Sequence, residues 1–281
     1  MIIRCWGARG SIPVSGREYI KYGGSTTCIE IQTLDDQILI MDAGSGIRKL
    51  GLTLLKEARR DLHLIFTHAH WDHLVGLPFF GPIYREGTHI RFYGCPYAQQ
   101  SVRGIFSGAM QSPNFPVDFS AVKAEIEYGG VCRDAFPIGS VMVTPIPLSH
   151  PNQGIGYKVS EEGKHFVFLT DNELSHPHVG GLDFAAYREF SKGADLLIHD
   201  AQYTAAEYPQ HTKGWGHSLY TDALRLGMEA GVQRLGLFHH DPERTDEGVD
   251  AMAGDCQRIL EERQSSLECF GVHEGLEIDL S

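Results

Sequence analysis

Basic residues, paired cysteines and long apolar runs are what this sequence is short of. Only 24 Lys and Arg stand against 36 Asp and Glu, a formal net charge of −12, which disfavours a broad track along a nucleic-acid backbone. The six cysteines, Cys5, Cys28, Cys95, Cys132, Cys256 and Cys269, contain no C-x-x-C pair, so neither a zinc ribbon nor a dense disulfide frame is indicated. No apolar run approaches the roughly 18 residues of a membrane span, and the N-terminus has no signal-peptide core. These absences predict a cytoplasmic protein with no membrane partner. No internal repeat, low-complexity tract or Pro/Gly linker interrupts the 281 residues, so a single domain over 1–281 is expected. Hydrophobic content of 42% supplies ample material for its core.

What the chain does have is concentrated in Thr67-His68-Ala69-His70-Trp71-Asp72-His73, directly after the apolar run Leu62 to Phe66. Four metal-competent side chains in six positions after a β-rich run suggest a strand delivering a ligand-bearing loop. His68 and His70 lean to the same side of an extended backbone, whereas Asp72 and His73 are consecutive and diverge. One short loop can therefore feed two metals. The plainer reading, a histidine-rich surface loop, fits this spacing less well.

The H-x-H-x-D-H pattern resembles the metallo-β-lactamase fold superfamily, whose binuclear hydrolases carry further ligands downstream. Leu148-Ser149-His150, Leu169-Thr170-Asp171 and Leu237-Phe238-His239 resemble those later motifs, each ending an apolar β-like run. His239 is preferred to its neighbour His240 on the Phe238-His239 register. The resemblance implies that His68, His70 and His150 hold one metal, that Asp72, His73 and His239 hold the other, and that Asp171 bridges them. The nitrogen-rich set suits Zn²⁺ best, with Mn²⁺ or Fe²⁺ as alternatives.

Alternating and helical spacings are consistent with that family. Strands are expected at Met1 to Trp6, Ile29 to Ile31, Gln37 to Met41, Leu62 to Phe66, Val141 to Val143, Gly156 to Val159, His165 to Leu169, Asp195 to Ile198 and Arg234 to Phe238. Helices are expected at Ile47 to Arg60, Leu74 to Phe80, Ala185 to Ser191, Leu219 to Ala230 and Val249 to Gln264. Together they predict an α/β (α+β) chain folded as a four-layer αββα sandwich of two mixed sheets, with the ligands on loops at one edge. The glycine-rich stretch Gly7 to Pro13 offers backbone N–H groups to an anion. Asp42, after the second strand, is either a carboxylate orienting a ligand imidazole or a turn residue bonding its own loop.

Metal ligands alone do not choose among lactam, lactone, thioester and phosphodiester. His199-Asp200-Ala201 and Gly216-His217-Ser218 resemble the carboxylate–histidine pair of the ribonuclease Z-like phosphodiesterase branch, with an aspartate in place of that branch's glutamate. The resemblance implies a phosphoric diester hydrolase in which a metal-bridging hydroxide attacks. On that resemblance His217, held by Asp200, is expected to protonate the leaving group, and Asp72 to serve as acceptor to the hydroxide. Only residues 151–170 separate His150 from Asp171, too few for the basic arm with which tRNA 3′-processing endonucleases of that branch grip tRNA. A small cyclic phosphodiester such as a cyclic nucleotide is the expected substrate, and polymeric nucleic acid is not. Apolar contacts to it are expected from Phe106, Met110 and Phe115 in the stretch from Ser101 to Val117, in a homodimer. The alternatives are the tRNA-processing endonuclease and a lactonase or thioesterase of the same fold.

Overall fold

The computed structural model describes residues 1–94, 102–113, 115–129, 134–208 and 212–280. Cys95, Ser101 and Cys132 lie outside them, as does one position, 114, of the stretch expected to touch substrate. Strands β1 (Ile2–Gly7), β2 (Cys28–Gln32), β3 (Ile38–Met41), β4 (Asp61–Ile65), β5 (His89–Tyr93) and β6 (Glu125–Gly129) build the first sheet. The second contains β7 (Phe136–Ile138), β8 (Val141–Leu148), β9 (Gly154–Glu161), β10 (Lys164–Leu169), β11 (Leu196–Asp200), β12 (Arg234–Phe238) and β13 (Glu268–Gly271). The last strand, β14 (Glu277–Asp279), returns to the first sheet beside β1. The two orders are β14-β1-β2-β3-β4-β5-β6 and β13-β12-β11-β10-β9-β8-β7.

Both sheets are apolar on both faces, which forces four layers. Ile3, Ile31, Ile65, Val159, Phe166, Phe168 and Phe238 meet between the sheets. The outer face of the first sheet, with Ile40, Leu62 and Leu64, is covered by Ile47, Leu50 and Leu54 of α1 (Ile47–Lys56) and by Phe106 of α2 (Val102–Ala109). Over the outer face of the second lie α3 (Phe184–Phe190), α4 (Tyr220–Ala230) and α5 (Asp246–Glu262). The spacing of Val249, Met252, Cys256 and Leu260 on α5 is the apolar stripe of a helix laid on a sheet. The αββα sandwich expected from the pattern is the observed one.

The differences from expectation have local causes. Helix α1 stops at Lys56 rather than Arg60, with Ala58 in the left-handed region at φ 58°. Leu74 to Phe80 is not one helix: 3-10 turns form at Trp71–His73 and Leu77–Phe79, and Pro78 has no N–H with which to continue a ladder. Strand β8 runs past the expected stop through Pro145 and Pro147. This costs no sheet bond, because β7 pairs only with Val141, Met142 and Val143, and beyond them that side of β8 is an edge. The short strands β5, β6, β7, β13 and β14 were not expected; each spans five residues or fewer.

Strand direction then decides where function can sit. In the second sheet β10, β11 and β12 are mutually parallel, and β8 runs with them because two antiparallel steps through β9 restore direction. In the first sheet β3 and β4 are parallel, and β1 runs with them through β2. The carboxyl ends of these seven strands meet at one edge of the sandwich, where an isolated bridge joins Arg9 to both Thr26 and His240.

One buried group away from that edge carries a pH-dependent cost. His63 on β4 lies beside Tyr93, Nδ1 to hydroxyl 3.1 Å, and burial pushes its pKa down to about 4. An unfolded His63 takes up a proton near pH 6.5, which the folded one refuses until about pH 4. Stability therefore falls as pH drops through that window and the contribution is flat below it. The wild type should lose up to about 1 kcal/mol more per pH unit than His63→Gln between pH 6.5 and 5 in urea unfolding. Parallel stability curves would rule the effect out.

Candidate metal centre

Each candidate ligand, and Asp200, stands at or past a strand's carboxyl end; His217 comes instead from the loop before α4. His68, His70, Asp72 and His73 follow β4, His150 follows β8, Asp171 follows β10, Asp200 closes β11 and His239 follows β12. His68, His70, His150 and Asp171 present donor atoms within 4.8 Å of one another, as do Asp72, His73 and His239. Asp171 joins the two groups with opposite oxygens. Its Oδ2 faces His68 Nε2 at 3.5 Å and His150 Nε2 at 3.7 Å. Its Oδ1 faces His73 Nε2 and His239 Nε2, both at 3.3 Å. Asp72 Oδ2 lies 3.3 Å from His73 Nε2 and 3.1 Å from His239 Nε2.

These separations fit a divalent ion in each group. Two donors on one tetrahedral ion, each at ~2.0–2.2 Å, stand roughly 3.3–3.6 Å apart. The buried Nε2 atoms of His68 and His73 have no hydrogen-bond partner among the described residues, a costly state that coordination would relieve. Burial pushes the His68 imidazole well below its ordinary pKa and His150 down to about 3, so both offer the neutral lone pair a metal requires. Three histidines and a carboxylate on one side are a donor set for a divalent transition-metal ion.

The far ring nitrogens are held in turn. Asp42 Oδ2 meets His73 Nδ1 at 2.8 Å while its two oxygens accept the Thr67 N–H at 2.8 Å and hydroxyl at 2.7 Å. The carboxylate role for Asp42 is therefore the observed one. His150 Nδ1 donates to the Gly216 carbonyl at 2.9 Å, and Gln202 Oε1 accepts from His239 Nδ1 at 3.0 Å. The Ser11 N–H donates to Asp72 Oδ2 at 2.8 Å, so the anion that the glycine-rich N-terminal loop approaches is a site carboxylate. A Cβ at Gly10 would lie 2.4 Å from His239 Nδ1, which explains glycine at that contact. Asp42, Asp171 and His239 all adopt positive φ, at 61°, 56° and 56°; such backbone is sparsely populated outside glycine and concentrates at functional sites.

His217 completes the cluster. Asp200, itself fully buried, accepts from His217 Nδ1 at 2.9 Å and from the Ser218 N–H at 3.0 Å. The aspartate thus reaches the histidine despite its shorter side chain. The His217 ring stacks on His239 with centroids 4.7 Å apart, and its Nδ1 lies 3.9 Å from Asp171. Burial disfavours a proton on this ring, but the Asp200 bond and the Asp171 charge outweigh it and raise its pKa. His240, the neighbour passed over, points away and donates from Nε2 to the Val272 carbonyl at 2.8 Å.

The residues expected to touch substrate take different positions. Phe106 lies on the wall of an apolar cavity that also includes His68, Trp71, Leu74 and Ile105. Met110 is fully buried in the outer core, and Phe115 packs edge-on against Phe79 with centroids 5.4 Å apart. Trp71 and Trp215, next in sequence to His70 and Gly216, are 61% and 62% exposed. Sequence reasoning passed over both, and over Gln202, Thr67 and Ser11. Exposed tryptophans inside two metal-adjacent motifs were the available signal; the Gln202 contact crosses 37 residues and left none.

A family model described as the β-lactamase superfamily domain matches residues 37–240. A Brevibacillus brevis protein named Ribonuclease Z is 26% identical over 260 residues, 75% of this chain and 78% of that one. The crystal structure of the metallo-β-lactamase fold protein YhfI from Bacillus subtilis superposes with a TM-score of 0.70 at 17% identity, covering 99% of this chain and 98% of that one. A diphosphatase from the PhnP family gives a TM-score of 0.68 at 17% identity over 100% and 98% of the two chains. At these identities the two structures speak for the fold alone. Among the described residues no helix is long and apolar enough to cross a membrane.

The geometry predicts that the purified chain binds about two divalent ions. Asp171→Ala should lower that content in elemental analysis and nearly abolish hydrolysis, because one side chain faces both donor groups. Full loading and full activity in this variant would remove Asp171 from the bridge.

Proposed function

The chain belongs to the metallo-β-lactamase superfamily, on its ribonuclease Z-like side, and from that premise we propose that it is a phosphodiesterase that opens small cyclic phosphodiesters, cyclic nucleotides first among them, to linear monoesters. The observation that carries this reading is the Asp200–His217 pair, 2.9 Å apart and stacked over the cluster. A thioester's thiolate departs with little help, whereas the alkoxide of a phosphodiester is a poor leaving group and gains much from a proton donor. A lactone alkoxide would gain as well, and against a lactonase it is the ribonuclease Z-like form of the His199-Asp200-Ala201 and Gly216-His217-Ser218 motifs that favours phosphorus.

His68, His70 and His150 would hold one ion, Asp72, His73 and His239 the other, with Asp171 shared. Bound there, divalent ions supply Lewis acidity, which makes hydroxide available near neutral pH and withdraws charge from the phosphoryl oxygens. The residues do the rest. Asp72, fixed by the Ser11 N–H, accepts a hydrogen bond from the attacking water and orients it toward phosphorus. Because Nδ1–H of His217 is committed to Asp200, the remaining N–H on Nε2 is the one that faces substrate. As the bond from phosphorus to the ester oxygen breaks, that proton passes to the departing alkoxide and leaves His217 as neutral imidazole. Asp200 stabilises the charged ring before the transfer and fixes its orientation throughout.

Substrate size follows from what lies between His150 and Asp171. That span is the β9–β10 hairpin, turned by Glu162 and Gly163, and it contains no arm. An apolar ring of the substrate would rest on Trp71 and Phe106, with Met110 packing beneath, and stacking of this kind accepts several bases. The competing reading, tRNA 3′ processing, is favoured by the name of the Brevibacillus brevis relative; the hairpin and the net charge of −12 stand against it.

Two measurements test this. His217→Ala should slow a diester with a poor leaving group by about 10²–10⁴ and slow a p-nitrophenyl diester less, with metal content unchanged. Equal losses on both would show that His217 donates no proton. The wild type should open cyclic mononucleotides with weak salt dependence, since few phosphates are neutralised. Efficient cleavage of precursor tRNA with cyclic nucleotides left intact would replace this reading by the polymer-processing one.

A further inference from the structure

Residues 213–216, which deliver His217, are turns and bends, yet their register is fixed by one buried carboxylate. The Glu173 side chain, two residues past Asp171, has no exposed surface. Its Oε1 accepts from the Tyr208 hydroxyl at 2.5 Å and the Gly214 N–H at 2.7 Å. Its Oε2 accepts from the Gly216 N–H at 2.8 Å and lies 2.7 Å from His178 Nε2. The Glu173 N–H donates to the Ser149 carbonyl at 2.8 Å, immediately before His150. Gly216 then does two things: its carbonyl takes the His150 Nδ1 proton at 2.9 Å, and the next residue is His217.

Such a carboxylate leaves the loop little choice. Displacing it would strand a desolvated charge and two backbone N–H groups, each costly on its own. Gly214 and Gly216 hold φ at 88° and 97°, and a Cβ at Gly216 would stand 2.0 Å from His150 Nδ1. The loop is thus pressed directly onto a candidate ligand.

We propose that Glu173 is a positioning residue that sets His150 and His217 together: by clamping Gly214 and Gly216 it aims one carbonyl at the His150 ring and brings the His217 ring over Asp171. The inference rests on the binuclear phosphodiesterase reading of the centre. It explains how a candidate ligand and a proton donor 67 positions later stay in register without touching a common strand.

Glu173→Gln tests it with nearly constant volume. The amide NH₂ must replace one of the two carboxylate oxygens, so in either orientation one glycine N–H faces another donor. Titration of the holoenzyme with a chelator should show one of two ions weakened about 10–100-fold, the one served by His150, with the other retained. On diesters the variant should slow the poor leaving group more than the p-nitrophenyl one, chiefly in kcat rather than KM. Tyr208→Phe removes one donor of the four and should show the same pattern more weakly; it decides the matter if Glu173→Gln does not fold. Equal weakening of both ions, or of neither, would overturn the proposal whatever the activity does. If the wild type turned over no diester, the functional reading would fail while the chelator titration still judged Glu173.

Discussion

The centre depends on a single buried carboxylate seen from two sides. Asp171 turns Oδ2 toward His68 and His150 and Oδ1 toward His73 and His239, so the two donor groups share an atom pair and cannot be moved independently. A carboxylate this deep would be prohibitively costly alone; surrounded by imidazoles it is held well below the ordinary carboxylate range, against the pull of burial. The left-handed backbone at Asp171, φ 56°, turns the side chain back across the end of β10. The adjacent parallel strand β11, and β8 running the same way on the far side of β9, then bring Asp200 and His150 to the same edge.

That arrangement has a cost that the rest of the fold must cover. Three of the site's residues, Asp42, Asp171 and His239, are non-glycine residues at positive φ, each worth of order 1–3 kcal/mol of strain, and the Nε2 atoms of His68 and His73 are buried without hydrogen-bond partners among the described residues. The two apolar faces of each sheet supply the compensation. A fully buried Leu, Ile or Phe contributes about 1.5–3 kcal/mol, and β2 and β3 contribute Ile29, Ile31, Ile38, Leu39 and Ile40. Stability is made in the strands and spent at their ends, which is why the site sits on loops whose first residues are still tied to the sheets.

The fold and the cluster were legible in the sequence to the extent that they are written in contiguous residues. The Thr67-to-His73 loop declared itself by spacing, and the apolar runs before His150, Asp171 and His239 marked strands ending in polar residues. What escaped was of two kinds. Short strands such as β13 and β14 have too few residues for a period to show. Contacts such as Gln202 with His239 or Ser11 with Asp72 join residues 37 and 61 positions apart, and nothing in either residue's neighbourhood announces its partner. Prolines misled in the opposite direction: Pro145 suggests a strand end, but an edge strand has no bond to lose there.

On the proposed reading, charge ties the acidic sequence to a small substrate. The groups that act most strongly on Asp72, Asp171 and His217 are histidines and carboxylates, not lysines or arginines. On the proposed reading, attraction for a phosphate therefore comes from the bound ions and from His217, a positive region about as wide as one phosphodiester. Outside it the surface carries the excess behind a net charge of −12, which repels the flanking phosphates of a polymer. A single diester feels the centre at close range and little of the surrounding field, since charges beyond about 8–10 Å are screened at physiological salt. On that reading, exclusion of long nucleic acids would need no dedicated gate: it would follow from confining positive charge to the metal centre of an otherwise acidic chain.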